Sequence, residues 1–232
     1  MKILFLFFII FKLSLSYINI HPTFFDKSID FEGSYQEFTL FNQSNDTVLY
    51  RIYCEPYKDS TNKDMSKWVN FYPRSITLAP GESGKIQVSI ASNSKVECGE
   101  YSAVLGVREL PLYEKIIKEN SSGLGILTDL KLVINGYAGN ISPKLVFSNL
   151  NLEINPNKIN LNGVVKNLGE RRGKFELYID DYFLGNLRIH SKESLDLKDL
   201  QFTYSGSHKL KSKKNLIIVD YITKKTVGKI KL

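Results

Sequence analysis

Gly81-Glu82-Ser83-Gly84-Lys85 is the run that most resembles reactive chemistry, because a glycine-rich turn ending in lysine can cradle a phosphate. It fails that role on three counts. The first glycine of a GxxxxGK[ST] loop is missing at the right distance, Ile86 stands where Ser or Thr must reach Mg²⁺, and the run enters a strand where a helix N-terminus is needed. Leu78-Ala79-Pro80-Gly81-Glu82-Ser83 therefore reads as a Pro-Gly turn feeding a strand, Lys85 to Ile90, with Ile86, Val88 and Ile90 inward. His21, His190 and His208 have no Cys, Asp or Glu at metal-ligand spacing, and neither HExxH nor GxSxG occurs. The sequence predicts no enzyme, no metal and no cofactor.

Two cysteines remain, and their meaning depends on compartment. Met1-Lys2 is a short positive end, Ile3 to Phe11 an unbroken apolar run, and Ser14-Leu15-Ser16 a small-residue site at which a signal peptidase could cut before Tyr17. Lys12 interrupts the apolar run, so a spanning helix of about 20 apolar residues cannot form there. Residues 1–16 are thus expected to be a signal peptide, and the mature chain to be exported without stable membrane insertion. In an oxidising compartment Cys54, at the end of one strand, and Cys98, just before another, could form a disulfide closing a loop of about 45 residues and contributing roughly 4 kcal/mol. Two reduced thiols are the alternative, and no redox CxxC is present.

The elements that must hold these residues are strands. Tyr17 to Phe25, Glu37 to Asn42, Val48 to Cys54, Lys85 to Ile90, Gly99 to Arg108 and Leu124 to Ile134 alternate apolar and polar residues between turns. Gly136 to Pro143 interrupts the pattern. Beyond it come Lys144 to Phe147, Ile159 to Lys166, Lys174 to Tyr178, Tyr182 to Ile189, Leu200 to Tyr204, Leu216 to Tyr221 and Val227 to Leu232, the last two a hairpin around Thr223-Lys224-Lys225-Thr226. The expectation is all-β: two immunoglobulin-like sandwiches in tandem over 17–138 and 139–232. At 232 residues and 43% hydrophobic content the chain can fill two cores of ordinary size. Trp68, beside Val69, Phe71 and Tyr72, reads as core.

The net charge of +7 is moderate and its lysines fall along alternating strands, which argues against nucleic acid. Lys209, Lys211, Lys213, Lys214, Lys224, Lys225, Lys229 and Lys231 admit two readings. They form a positive face for an acidic partner or an assembly platform, or they keep a terminal edge strand from pairing. The Asn42, Asn45, Asn120 and Asn140 sequons matter only in a eukaryotic secretory pathway.

One strand has more apolar alternation than its own sheet needs. After Arg108-Glu109-Leu110-Pro111 and a polar loop, Leu124, Ile126, Thr128, Leu130, Leu132 and Ile134 share a face, with Lys131 on the other. With the turn after Tyr72-Pro73 and the Phe38, Leu40, Asn42 strand, this spacing resembles the first domain of PapD-like periplasmic pilus chaperones. The resemblance is specific over residues 17–138 and architectural beyond. It implies a boomerang of two sandwiches that lends Leu124, Ile126, Thr128 and Leu130 to an incomplete pilin-like subunit, anchors the subunit's terminal carboxylate on Lys131, and works with an outer-membrane usher. Self-association through the donor strand is also implied. The chain departs from the family where Phe24 replaces the arginine of the first strand and Ser122 replaces a third bulky donor. A secreted two-domain binding or surface protein, whose strand serves only its own sheet, is the alternative.

Overall fold

The computed structural model describes residues 18–58, 62–92, 95–111, 127–155, 158–199 and 215–232. Outside them fall the expected signal peptide over residues 1–16, Leu124 and Ile126, the expected strand Leu200 to Tyr204, and Lys209 to Lys214. Among the described residues the only helices are two 3₁₀ turns, Ser66–Trp68 and Leu197–Asp199; all else regular is strand. The chain divides into two compact units, residues 1–96 with 101–136, and residues 97–100 with 137–232.

In the first unit the strands are β1 (Asn19–His21), β2 (Asp26–Ser28), β3 (Ser34–Phe41), β4 (Val48–Glu55), β5 (Lys63–Asp64), β6 (Val69–Tyr72), β7 (Ser75–Leu78), β8 (Ser83–Ile90), β9 (Gly99–Leu110) and β10 (Asp129–Ala138). They form one sheet in the order β1-β3-β8-β6 and another in the order β2-β10-β9-β4-β7, with β5 beside β9. The expected first strand is two strands. Pro22 has no amide hydrogen to continue the β1–β3 ladder, and the chain crosses to the other sheet as β2. Period-2 alternation then turns Phe38, Leu40, Ile86, Val88, Ile90, Leu105, Val107 and Ile134 inward, all essentially inaccessible to water. Trp68 is half-buried, tilted against Tyr101 with ring centres 5.1 Å apart.

The second unit contains β11 (Leu145–Asn155), β12 (Lys158–Asn167), β13 (Gly173–Ile179), β14 (Tyr182–Ile189), β15 (Ser194–Asp196), β16 (Asn215–Asp220) and β17 (Thr226–Lys231). One sheet runs β11-β12-β15 and the other β14-β13-β16-β17. Phe175, Leu177, Ile179, Leu187, Leu216 and Ile218 meet Ile159, Leu161 and Val165 in its core.

The expected bridge between Cys54 and Cys98 is not formed; both carry thiols. Strand register supplies the reason. Cys54 faces Leu105, because β9 runs on past the end of β4 to pair with β5, and Cys98 lies seven residues upstream of Leu105. At about 3.3 Å per residue that offset is on the order of 20 Å, against a Cα separation of roughly 7 Å that a disulfide tolerates. Cys54 Sγ lies instead 3.8 Å from Ser66 O, and burial, then Asp64 and Glu55, push its thiol up to about 11. Cys98 packs on Gly139, where a Cβ would come within 2.7 Å of its sulfur.

Candidate functional site

β10, with Thr128 immediately before it, carries every described residue expected to bind a partner. Its inward face deepens along the strand: Thr128, Leu130 and Leu132 are half-buried, while Ile134 and Ala138 are fully buried. Leu127, just before the strand, is 55% exposed. The apolar stripe thus becomes more accessible toward the start of the strand, and Leu124 and Ile126 lie outside the described residues. β9 covers one edge of β10. On the other edge β2 contributes three residues, preceded by Phe25 O accepting from Asn135 N at 3.0 Å, and the described residues place no further strand there. Among the described residues much of that edge has no sheet neighbour, and an edge so placed is a template for an added strand.

The start of β10 is fixed by a buried acid. Glu109 N donates to Thr128 O at 2.9 Å, and Glu109 Oε2 accepts from Thr128 N at 3.0 Å. Glu109 is only 4% exposed and sits across the β4–β9 register from Tyr50, itself 1% exposed. Burial, reinforced by the Glu109 charge, pushes the Tyr50 hydroxyl up to about 12. The sequence carried a signal for this: Ala103, Leu105, Val107 and Glu109 share one parity, and a carboxylate on an apolar face needs partners.

Lys131 points to the opposite, outward face, as its parity requires. It is not waiting for a ligand. Its Nζ lies 2.6 Å from Glu55 Oε1, and that bond holds the ammonium above its ordinary range. Beside it, Arg108 grips Asp129 through Nε at 3.1 Å and Nη2 at 2.7 Å, while Tyr53 donates to Asp129 Oδ1 at 2.7 Å. Burial raises the Asp129 carboxyl, but bonds from Arg108 and Tyr53 outweigh it and hold the group below its ordinary value.

Gly106 makes this ladder possible. It lies on β9, between β4 with Tyr53 and Glu55 and β10 with Asp129 and Lys131, and the Tyr53 ring covers it so closely that a Cβ would fall 2.1 Å from a ring carbon. Only an absent side chain lets Tyr53 reach across β9 to β10. The Lys131–Glu55 side chains are 52% and 39% exposed, so the pair adds little stability and mainly sets where the ammonium sits. Sequence reasoning missed Glu55, Tyr53 and Asp129 as members of this face, since two of its bonds join residues 76 apart. Phe24 is half-buried, and its carbonyl accepts from Gln36 Nε2 at 2.7 Å.

Among the described residues no group of three or more His, Cys, Asp or Glu could hold a metal ion. No described helix is long and apolar enough to cross a membrane.

No protein-family model matches the chain, and no curated protein matches it. Its fold is found among solved structures. The class 5 fimbriae chaperone CfaA superposes with a TM-score of 0.50 at 15% identity, over 93% of this chain and 98% of that one. The Salmonella enterica SafB chaperone, solved with the SafA pilin, gives 0.49 at 11% identity over 94% and 96%. CsuC, solved with the CsuE subunit from the archaic chaperone-usher Csu pili of Acinetobacter baumannii, gives 0.46 at 14% over 93% and 98%. The CfaA likeness makes the fold that of a fimbrial chaperone: all-β, with two immunoglobulin-like units in tandem.

Proposed function

We propose that the chain is a non-catalytic chaperone for the subunits of a surface fibre, exported to the periplasm behind residues 1–16. The observation that carries this reading is an edge of β10 that no strand beyond β2 covers among the described residues, beside a half-buried apolar stripe. β-Augmentation supplies the mechanism: main-chain groups of the strand pair with an open sheet edge of a pilin-like subunit, while Leu124, Ile126, Thr128 and Leu130 fill its groove. Lys131 holds the subunit's terminal carboxylate by a charge-assisted hydrogen bond, which requires Glu55 to yield. An outer-membrane usher, or a second copy capping the donor strand, completes the set of partners. The fold shared with CfaA supports the assignment.

Co-purification from the periplasm with a pilin-like subunit tests it. Ile126→Glu puts an unpaired carboxylate into the groove, costing several kcal/mol and orders of magnitude in capture, while the free protein keeps its stability. Lys131→Ala leaves folding intact and lowers capture, as does amidating the subunit's C-terminus. Unfolding by Ile126→Glu would make that residue ordinary core. A second reading, a two-domain surface-binding protein without chaperone activity, is favoured by one observation: Lys131 already holds a carboxylate of its own chain. Capture indifferent to all three changes would show that the chain either binds subunits differently or is not a chaperone.

A further inference from the structure

The positive charge of the exported chain belongs to one unit. Beyond residue 16 the first unit carries 12 basic and 13 acidic side chains, and the second, residues 97–100 with 137–232, carries 17 basic and 11 acidic. Among the described residues the excess is concentrated in the β16–β17 hairpin, where Lys224, Lys225, Lys229 and Lys231 face a single carboxylate, Asp220.

That carboxylate is committed to the turn. Asp220 Oδ1 accepts from Ile222 N at 3.1 Å, Thr223 N at 2.7 Å and Thr223 Oγ1 at 2.8 Å. Lys224 closes the turn at φ 56° and reaches Glu176 at 2.7 Å. Lys225, Lys229 and Lys231 are exposed and pair with no carboxylate among the described residues. Lysines that only discourage edge pairing would account for this much. They do not account for Ile222 and Val227, which are 48% and 56% exposed. The Asp220 bonds pin Ile222 at the apex. Gly228 pairs with Ile218 and Thr226 with Val219, so Val227 is the bulged residue with no partner across the strand.

A rigid tip that displays two aliphatic side chains among cations matches a particular surface. At an anionic bilayer the aliphatic groups leave water at the level of the acyl boundary, and the ammoniums reach the lipid phosphates. A soluble polyanion would satisfy the lysines and leave Ile222 and Val227 in water. We propose that the β16–β17 hairpin is a peripheral docking surface for an anionic lipid leaflet, in which Ile222 and Val227 dip into the interface while Lys225, Lys229 and Lys231 hold the headgroups. This surface is independent of β10 and of the chaperone reading.

Co-sedimentation of the exported chain with mixed phosphatidylglycerol and phosphatidylethanolamine vesicles, against phosphatidylcholine alone, provides the test. Binding to the anionic vesicles that collapses in about 0.5 M NaCl is expected. Hydrogen exchange of the unaltered chain should slow at Ile222 to Val227 when vesicles are added. The triple variant Lys225→Glu, Lys229→Glu, Lys231→Glu should lower the partition coefficient on the order of 100-fold. The pair Ile222→Ser, Val227→Ser should lower it about tenfold, with far-UV circular dichroism unchanged in both. Equal binding to phosphatidylcholine, or no slowing of exchange, overturns the proposal. A loss confined to the lysine variant, with competition by soluble polyglutamate, also overturns it and makes the hairpin a site for an acidic protein. Should the lysine variant lose its fold, exchange in the unaltered chain decides alone.

Discussion

Asn42 at the end of β3 and Asn167 at the end of β12 do the same work in different units. Both side chains are completely buried. Asn42 Nδ2 donates to Leu78 O at 2.9 Å, Ala79 O at 3.1 Å and Asp46 O at 2.8 Å, and its Oδ1 accepts from Ser44 N and Oγ. Asn167 Nδ2 donates to His190 O at 3.0 Å and Arg171 O at 2.8 Å, and its Oδ1 accepts from Lys144 N and Gly169 N, both at 2.9 Å. Each asparagine's backbone N–H donates to the carbonyl of a glutamate, Glu82 or Glu193, and each glutamate carboxylate accepts from the backbone N–H three residues earlier. The turns between are built differently. Ala79-Pro80-Gly81-Glu82-Ser83 places Gly81 at φ 74°, and His190-Ser191-Lys192-Glu193-Ser194 places Lys192 at φ 60°. The same buried-amide clamp thus tolerates either a glycine suited to the left-handed region or a lysine that strains to enter it.

Removing the clamps is the hardest test of their equivalence. Asn42→Ala and Asn167→Ala each leave several buried backbone groups unpaired and should cost about 3 kcal/mol or more. Trp68, the single tryptophan, lies in the first unit, so its fluorescence in a denaturant titration should shift more for Asn42→Ala than for Asn167→Ala. Equal shifts would join both units in one cooperative transition and end their treatment as separate clamps.

Alkali should separate the units next. Tyr50 is buried in the first unit with its hydroxyl pushed up to about 12 from 10.0. A raised acid is protonated more tightly when folded, so its stabilisation is complete below pH 10 and disappears as pH rises through about 12. The loss is about 2–3 kcal/mol. Tyr50→Phe should flatten this alkaline decline in the Trp68 transition, and an unchanged decline would trace it to another group.

Backbone strain gives smaller effects of opposite sign. Gly81 has open space around the position of a Cβ, so Gly81→Ala feels φ alone and should cost about 1 kcal/mol by thermal melting. Lys192→Gly relieves the matching strain but gives up the 2.8 Å bond from Lys192 Nζ to Leu168 O, and should gain about 0.5 kcal/mol. A loss on Lys192→Gly would mean that the bond outweighs the strain.

Half of this symmetry was legible in the sequence. Pro80-Gly81 announces a turn and Asn42 closes an alternating run, but Lys192 gives no such sign, and only the shared Glu-Ser after each turn hints at the pair. Strand existence followed from period-2 alternation, which local residues encode. β10 was assigned the correct faces for that reason, including Lys131 outward. Partners across strands were not legible: Glu55 meets Lys131 and Tyr53 meets Asp129 through sheet order and the gap at Gly106, neither of which a local pattern specifies. The cysteine pairing failed on the same point, because the overhang of β9 past β4 depends on register.

That overhang decides how the molecule can be dissected. β9 begins in the second unit and ends in the first, and Glu100, on the second-unit side, holds Arg172 N at 2.8 Å and Arg172 Nε at 3.1 Å. A fragment starting at Tyr137 would lack Glu100 and leave a guanidinium whose side chain is only 17% exposed without its carboxylate. Neither unit is a continuous stretch of chain, so no single proteolytic cut or gene truncation releases the second one whole.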